Sequence, residues 1–303
     1  MSGIITSSSF AKALWPGVNK FFGDAYNDYP TEWESLFEKN TSTRAYEEDV
    51  GTSGLGLAGV KTEGGAIQYD DMKQGFTTRY NPVVYALGFI ITREMVEDDL
   101  YAVVGKKKAT ALARSMRQTK EIVGANVYNR AQTSGYNGGD GVVLLSASHP
   151  NVAGGTYSNV ISTPADLSEA ALEQSVIDIA GFRDDRGLLI AARPTDLVIP
   201  YQLQFESNRI LGANGRVGTD LNDPNAIKEM GIFKSVCINH YLTDADAWFI
   251  RTNVPDGMKY FERRGDQFEM DNDFDTENAK FKATARYSFG WSDPRGLYGS
   301  AGV

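Results

Sequence analysis

The sequence NPVVYALGFIITRE, residues 81–94, contains the point where the chain changes from one kind of secondary structure to another. Its central part, Val83 to Ile91, is rich in β-branched and aromatic residues, which favour a β-strand. Thr92 is a suitable helix N-cap, and four acidic residues within 94–99 complement the dipole of a helix that begins there. The stretch therefore predicts a strand that leads directly into a helix.

The predicted helix extends from Thr92 to about Thr133, because apolar residues recur near helical spacing throughout this range. Gly105 and Gly124 each cost about 1 kcal/mol relative to alanine, and we expect bends there. A helix of roughly 40 residues is about 60 Å long. A compact chain of this size has a diameter of roughly 50 Å. We therefore expect an elongated subunit.

The segment before residue 45 is rich in aromatic residues but lacks a clear period. Within it, Thr31 as N-cap with Glu34 three positions later predicts a short helix over 31–39. Two interpretations stay open for the aromatic side chains. They belong to an arm that lies against another surface, or to a strap across the core of the same chain.

A glycine-rich segment follows, with six glycines among residues 51–65. Glycine disfavours a helix and gives a strand little to pack. Together with the strand-like sequence between Gly75 and Ile91, this predicts a long two-stranded excursion over about 46–90 with a flexible tip. An isolated two-stranded ribbon is marginal in water, so the excursion needs a partner surface.

Helices and strands alternate after the long helix, which is typical of a compact α/β layer unit. We predict strands at 142–145, 188–192, 197–199, 232–238 and 247–251, and helices that begin near Asp166 and at Tyr201. The last predicted strand, 281–289, has the clearest pattern, since apolar and polar residues alternate along it. It requires a covered face.

Composition restricts the chemistry of the protein. The chain has 303 residues, 30 basic and 39 acidic, and a net charge of −9, so it lacks the overall basic footprint of a non-specific DNA-binding protein. Cys237 is the single cysteine, and His149 and His240 are the only histidines, so thiolate zinc sites and most histidine-based triads are nearly excluded. The sequence predicts no signal peptide and no membrane span, hence a soluble protein that is cytosolic or assembles there.

Two local motifs imitate ligand sites. Residues 54–59 match the glycine pattern of a dinucleotide-binding turn, but Gly64 and Gly65 exclude the helix that must follow. Residues 271–275 begin like a calcium loop, but Thr276 and Lys282 stand where glycine and glutamate are needed. We predict no cofactor, no catalytic residue and no metal site. A weaker cation site in this acidic turn, and a nucleotide-binding or carboxylate-dependent enzyme, stay as minor alternatives.

Two blocks of charge stand out. The first, here called the basic block, comprises Lys106, Lys107, Lys108, Arg114, Arg117 and Lys120. The second, the acidic block, comprises Asp266, Glu269, Asp271, Asp273, Asp275 and Glu277. They are two solvated faces, or they join copies of the chain head to tail as assembly contacts. In a third interpretation the basic block contacts DNA.

The order of these parts resembles the major capsid proteins of tailed bacteriophages, with the α+β Hong Kong 97-like fold, and within them the Mu-like major head subunits. The resemblance spans nearly the whole chain, and no single motif decides it. It is carried by residues 81–94, by Asp140 to Pro150, by Pro194 to Pro200, by Asp246 to Phe249 and by the closing Tyr287 to Arg295.

This resemblance implies an N-arm at 1–45, an extended β E-loop at 46–90, and a P-domain at 91–164 and 251–303 whose spine helix covers about 92–133. The α/β A-domain lies at 165–250. It implies no catalytic residues, and pentamers and hexamers that close into an icosahedral head around double-stranded DNA. We expect a separate scaffold protein, a portal, decoration proteins in some heads, and assembly in the bacterial cytoplasm. Lys61 lies in the loop, but we predict no covalent cross-link. A tail tube or sheath protein is the alternative within the same class.

Overall fold

The computed structural model describes residues 19–27, 30–97, 101–215, 224–272 and 278–303. The helices in these ranges are α1 (19–27), α2 (Arg93–Glu97), α3 (Tyr101–Asn129), α4 (Glu169–Ala180), α5 (Gln204–Gly212) and α6 (Ala226–Glu229). The first strands are β1 (Glu38–Thr41), β2 (Glu47–Thr52), β3 (Gln74–Tyr80), β4 (Val83–Ile91), β5 (His149–Pro150) and β6 (Thr156–Tyr157). The later strands are β7 (Pro194–Pro200), β8 (Ser235–Asn239), β9 (Trp248–Thr252), β10 (Met258–Asn272), β11 (Ala279–Trp291) and β12 (Leu297–Ser300).

A four-stranded sheet with the order β1-β10-β11-β4 carries the first half of the fold. β10 and β11 pair antiparallel over their length, β4 pairs antiparallel with β11, and β1 lies parallel to β10. Alternate residues of β11 point into the core, and Phe281, Ala283, Ala285 and Tyr287 are each at most 1% exposed. The alternation predicted for 281–289 is therefore confirmed.

Helix α3 covers the apolar face of this sheet. Its Leu112, Met116 and Tyr128 belong to the same buried cluster as Tyr260 and Tyr287 of the sheet. The helix continues through both glycines at which we expected bends. Gly124 has a packing reason, because a Cβ there would lie 3.3 Å from side-chain atoms of both Trp33 and Phe289.

The aromatic segment before residue 45 packs on its own chain where the structure describes it. The ring of Phe22 stacks on Phe268 with centroids 4.7 Å apart, and the ring of Trp33 lies 4.3 Å from Tyr260. The buried carboxylate of Glu121 on α3 accepts the backbone N–H of Trp33 at 2.9 Å. The strap interpretation is therefore correct for these residues. Phe10, Trp15 and Tyr29 lie outside the described residues.

A second sheet, with the order β12-β9-β7-β8, forms the α/β unit. β7 is parallel to β8 and antiparallel to β9. Helix α4 packs Leu172 and Ile179 against this sheet, among Leu197, Trp248 and Ile250. Its N-cap is Ser168, whose hydroxyl accepts the Ala171 N–H at 3.2 Å. The predicted layer unit is present, and its helix begins three residues after Asp166.

The two-stranded excursion is shorter than predicted. β2 pairs antiparallel with β3, and residues 53–73 between them contain no helix or strand. β4 pairs with β11, so the ribbon ends at Tyr80 and Val83 to Ile91 are part of the four-stranded sheet. The connecting segment, residues 53–73, is called the E-loop tip below.

Several local predictions are wrong. The helix expected over 31–39 is a single 3₁₀ turn, Trp33–Ser35, followed by β1. The long helix ends at Asn129, and α3 alone measures about 44 Å, so it does not by itself require an elongated subunit. Only isolated bridges form at 142–145 and 188–192. The acidic turn begins as a strand, because β10 runs to Asn272.

Trp33 tests how strongly the strap holds the core. Replacing Trp33, 3% exposed, with alanine should lower the free energy of unfolding by about 3–5 kcal/mol, because the cavity cannot close between helix and sheet. The matched control is Tyr69→Ala in the E-loop tip, 90% exposed, for which we expect a change of less than about 0.5 kcal/mol. Chemical denaturation of the unassembled chain measures both. Equal effects would show that the strap does not stabilise the core.

Candidate assembly surfaces

The E-loop tip exposes a set of large apolar side chains. Val60 is fully exposed at 100%, Tyr69 is 90% exposed, and more than half of the surface of Leu55, Leu57, Ile67 and Met72 is also accessible. Single exposed apolar residues are normal on a protein surface, but a concentration of them in one segment marks an interaction site. The tip therefore has the composition of a contact surface that the isolated chain leaves uncovered.

A polar cluster fixes the base of the ribbon to the sheet. The ammonium of Lys259 on β10 donates to Asp49 of β2 and to Asp256, both at 2.6 Å. The hydroxyl of Ser292 also donates to Asp49 at 2.6 Å, and the hydroxyl of Tyr80 lies 2.6 Å from that of Ser292. Burial lowers the pKa of Lys259, but its hydrogen bonds to Asp256 and Asp49 outweigh burial and leave the pKa above the ordinary value. The lysine is therefore a permanent cation at the base of the ribbon.

β4 forms the edge of its sheet and is a second exposed apolar surface. Val83, Val84, Leu87 and Ile90 are each about half exposed, at 48–54%. The ammonium of Lys108 on α3 donates to the backbone carbonyl of Ile90 at 2.8 Å. One residue of the basic block is therefore bound to this edge within the same chain.

The two charge blocks meet, but inside one subunit. Lys120 of the basic block and Asp266 of the acidic block form an ion pair at 2.7 Å, with side chains only 6% and 11% exposed. The hydroxyl of Tyr26 on α1 donates to the same Asp266 carboxylate at 2.7 Å. Arg117 is also buried and donates to the backbone carbonyl of Tyr26. These charged groups attach α1 to helix α3 and strand β10.

Tyr26 is held in its neutral form at this junction. Burial raises the pKa of its phenol far above the ordinary value, and the Asp266 carboxylate raises it further. The phenol therefore donates to Asp266 at any ordinary pH. Arg117, Lys120 and Asp266 are nearly buried, so the expected contact between copies can use only the more exposed members of the two blocks.

Those other members are mostly at the surface. Lys106, Lys107 and Arg114 are exposed, and the ammonium of Lys106 lies 5.1 Å above the ring of Phe21. In the acidic block, Glu269 pairs with Lys282 of the same hairpin at 2.9 Å, and Asp271 is exposed. Asp273, Asp275 and Glu277 lie outside the described residues.

The two histidines have structural surroundings. The buried ring of His149 lies between Asp140, at 2.6 Å from Nδ1, and Asn159, at 3.1 Å from Nε2. The Nδ1 atom of His240 lies within hydrogen-bond distance, 2.7 Å, of the Oε1 atom of Glu32, which belongs to the strap. The glycine motif at 54–59 continues through irregular chain to β3 and not into a helix. Within the described ranges, no three His, Cys, Asp or Glu side chains group as metal ligands, and no helix has the length and apolar character of a membrane span.

Solved structures share this fold. The chain aligns with the capsid of a native GTA particle at a TM-score of 0.54 and 14% identity, over 89% of each chain. It aligns with a chain of Microbacterium phage Oxtober96 at 0.52 and 10% identity, over 90% of this chain and 91% of that one. For a virus-like particle from Pyrococcus furiosus the values are 0.50 and 9%, over 95% and 98%. These similarities show that the chain has the α+β Hong Kong 97-like fold.

The family follows from the sequence. The family described as phage capsid protein matches residues 75–300, which is more than half of the chain. A comparison of the chain with curated proteins found no match. The chain belongs to this family. It is a major capsid protein that assembles with copies of itself into the phage head, and its place is the virion. The match to a capsid family favours this role over the alternative of a tail tube or sheath protein.

The buried pair Lys120–Asp266 gives a testable difference in stability. Lys120→Met leaves Asp266 buried and without its charge partner, so the free energy of unfolding should fall by about 3–5 kcal/mol. Lys282→Met is the matched control, because its pair with Glu269 is 61% and 53% exposed and is worth about 1 kcal/mol or less. Urea denaturation of the unassembled chain compares the two. A Lys120 variant as stable as the control would mean that the buried pair does not hold the fold.

Proposed function

We propose that the chain forms pentamers and hexamers, which close into an icosahedral shell around double-stranded DNA. The observation that carries this proposal is the E-loop tip, whose apolar side chains are exposed although its ribbon is bound to the sheet through Asp49 and Lys259. A concentration of exposed apolar side chains marks an interaction site, and here we assign it to contact with a neighbouring copy. Membership of the phage capsid family and the Hong Kong 97-like fold support this proposal.

The proposed division follows the expected parts. Residues 1–45 are the N-arm, 46–90 the E-loop, 91–164 and 251–303 the P-domain, and 165–250 the A-domain. Two buried clusters are consistent with this division: α3 packs on the four-stranded sheet in the proposed P-domain, and α4 packs on the second sheet in the proposed A-domain. β12 belongs to the last segment but pairs with β9, so residues 297–300 connect the two units.

The role we propose is structural, without catalysis. A net charge of −9 repels DNA overall, so we propose that contact with packaged DNA is weak, non-specific and made through local basic groups. A scaffold protein, a portal and decoration proteins are the proposed partners, and the bacterial cytoplasm is the proposed place of assembly. The exposed Lys106, Lys107 and Arg114 are proposed to contact a neighbouring subunit.

Assembly of the purified chain tests the proposal. We expect shells in negative stain at adequate concentration, with scaffold added if the chain alone does not assemble. Replacing Leu57, Val60, Ile67 and Tyr69 together with serine should abolish shells, because it removes the apolar surface of the tip. Thermal unfolding should change little, since exposed side chains contribute little to the fold. A wild-type chain that stays monomeric with scaffold present would refute the shell, and normal shells from the variant would refute the role of the tip.

Charge reversal tests the basic block. Changing Lys106, Lys107 and Arg114 to glutamate should weaken assembly, and wild-type assembly should weaken at high salt because the Debye length falls from about 10 Å at 0.1 M to about 3 Å at 1 M. Reversing Glu269 and Asp271 as well should partly restore it. Reversal of Lys39 and Lys234, exposed lysines outside the block, is the control. Normal shells that retain less DNA would assign the block to DNA instead, and no change in either would leave a solvated face.

A further inference from the structure

One carboxylate joins the two ends of the E-loop tip to the α/β unit. The Asp70 Oδ2 atom accepts the backbone N–H of Gly56 at 2.8 Å and also accepts a guanidinium N–H of Arg186. A second N–H of Arg186 donates to the backbone carbonyl of Asp71. The Gly56 N–H, and then Arg186, hold the pKa of the Asp70 carboxyl below its usual value, so the acceptor is ionised at neutral pH. Residues 57–69 are thereby closed into a loop that is attached at its neck.

Arg186 projects from a tight turn that follows α4. The Asp184 carboxylate accepts the backbone N–H of Arg186 at 2.9 Å and that of Leu188 at 2.8 Å. The backbone N–H of Gly187 donates to the carbonyl of Asp184 at 3.0 Å, and Arg183 bridges to Leu189 across the turn. The guanidinium therefore starts from a fixed backbone and not from a free loop. Its partner on the E-loop is 116 positions away in sequence.

Gly56 leaves room for these two side chains to meet. A Cβ on residue 56 would lie 3.2 Å from both the Arg186 guanidinium and the Asp70 carboxylate. A larger side chain would therefore push against the two groups that meet there. This glycine of the 54–59 motif thus serves the neck of the loop, a role that the motif match did not suggest.

The contact leaves the apolar side chains of the tip uncovered. Leu57 is 83% exposed, and Val60 and Tyr69 are exposed still further, although all three lie inside the closed loop. A contact that held the loop back would bury these side chains against the α/β unit. The Arg186 contact instead fixes the neck of the loop and leaves its apolar surface free.

We infer that Arg186 is a positioning residue for assembly: it preorganises the E-loop tip for binding to a second copy of the chain. This inference rests on the proposed shell function. The loop then has two anchors, Lys259 at the base of the ribbon and Arg186 at the neck of the tip. Ordering a binding loop before contact lowers the entropy lost on association. If losing one anchor reduces the competent population tenfold, apparent association weakens about tenfold.

Hydrogen exchange and assembly of the full chain together test the inference. In unassembled Arg186→Ala, exchange at the Gly56 amide and across 57–69 should rise about tenfold, with thermal unfolding unchanged. The concentration needed for half-maximal assembly should also rise about tenfold. Arg209→Ala is the matched control, because that arginine pairs at the surface with Glu206 of its own helix and no E-loop contact is described for it. We expect wild-type behaviour from it.

A second variant covers the case in which Arg186→Ala does not fold. Asp70→Asn keeps an oxygen for the Gly56 N–H but removes the charge that Arg186 binds, and it should show the same weaker assembly. Arg186→Lys should restore part of the wild-type behaviour. Unchanged exchange or unchanged assembly in both main variants would overturn the inference, and faster assembly would show that the contact restrains the loop. Failure of the wild-type chain to form shells would instead refute the proposed function.

Discussion

The antiparallel pairing of β10 with β11 is the constraint on which the rest of the fold depends. It creates a long sheet with one apolar face, and exposure of that face to water would be unfavourable. Helix α3 covers this face, and Trp33 and Phe37 of the strap pack between the helix and the sheet. β1 and β4 attach to the outer edges of the same pair. The E-loop ribbon then starts and ends beside this sheet, and Lys259 and Ser292 at the far ends of the two strands bind its base.

The sequence predicted β11 but not β10. β11 alternates strictly, so its period of two is visible. β10 changes register twice, between Glu262 and Arg264 and again before Gln267. Each irregularity shifts which residues face inward, so no single period runs through 258–272. Glu269 and Asp271, near the end of β10, are exposed. In the sequence alone, such a run of acidic residues is typical of a turn.

Long-range contacts explain why the assembly surfaces were only partly predictable. The glycine content alone predicted the tip, because glycine is a local signal, whereas the exposure of the apolar side chains in it came from the structure. The pair Lys120–Asp266 joins residues 146 positions apart, and the contact of Arg186 with Asp70 spans 116. Neither pair has a local pattern that distinguishes it from solvated charge. The opposite signs of the two blocks did indicate an attraction between them. They did not indicate that Lys120 and Asp266 form a nearly buried ion pair within one subunit.

The two anchors of the E-loop are of unequal strength and lie on different units, and this has a mechanical consequence. The base is bound through a nearly buried lysine on the first sheet, whereas the neck is bound through a partly exposed arginine beside the second. Because the loop is bound to both units, a rotation of one unit against the other would strain both contacts. The more exposed contact of Arg186 would break first, because water replaces its hydrogen bonds at little loss. The loop would then stay attached only through Lys259, at the base of its ribbon.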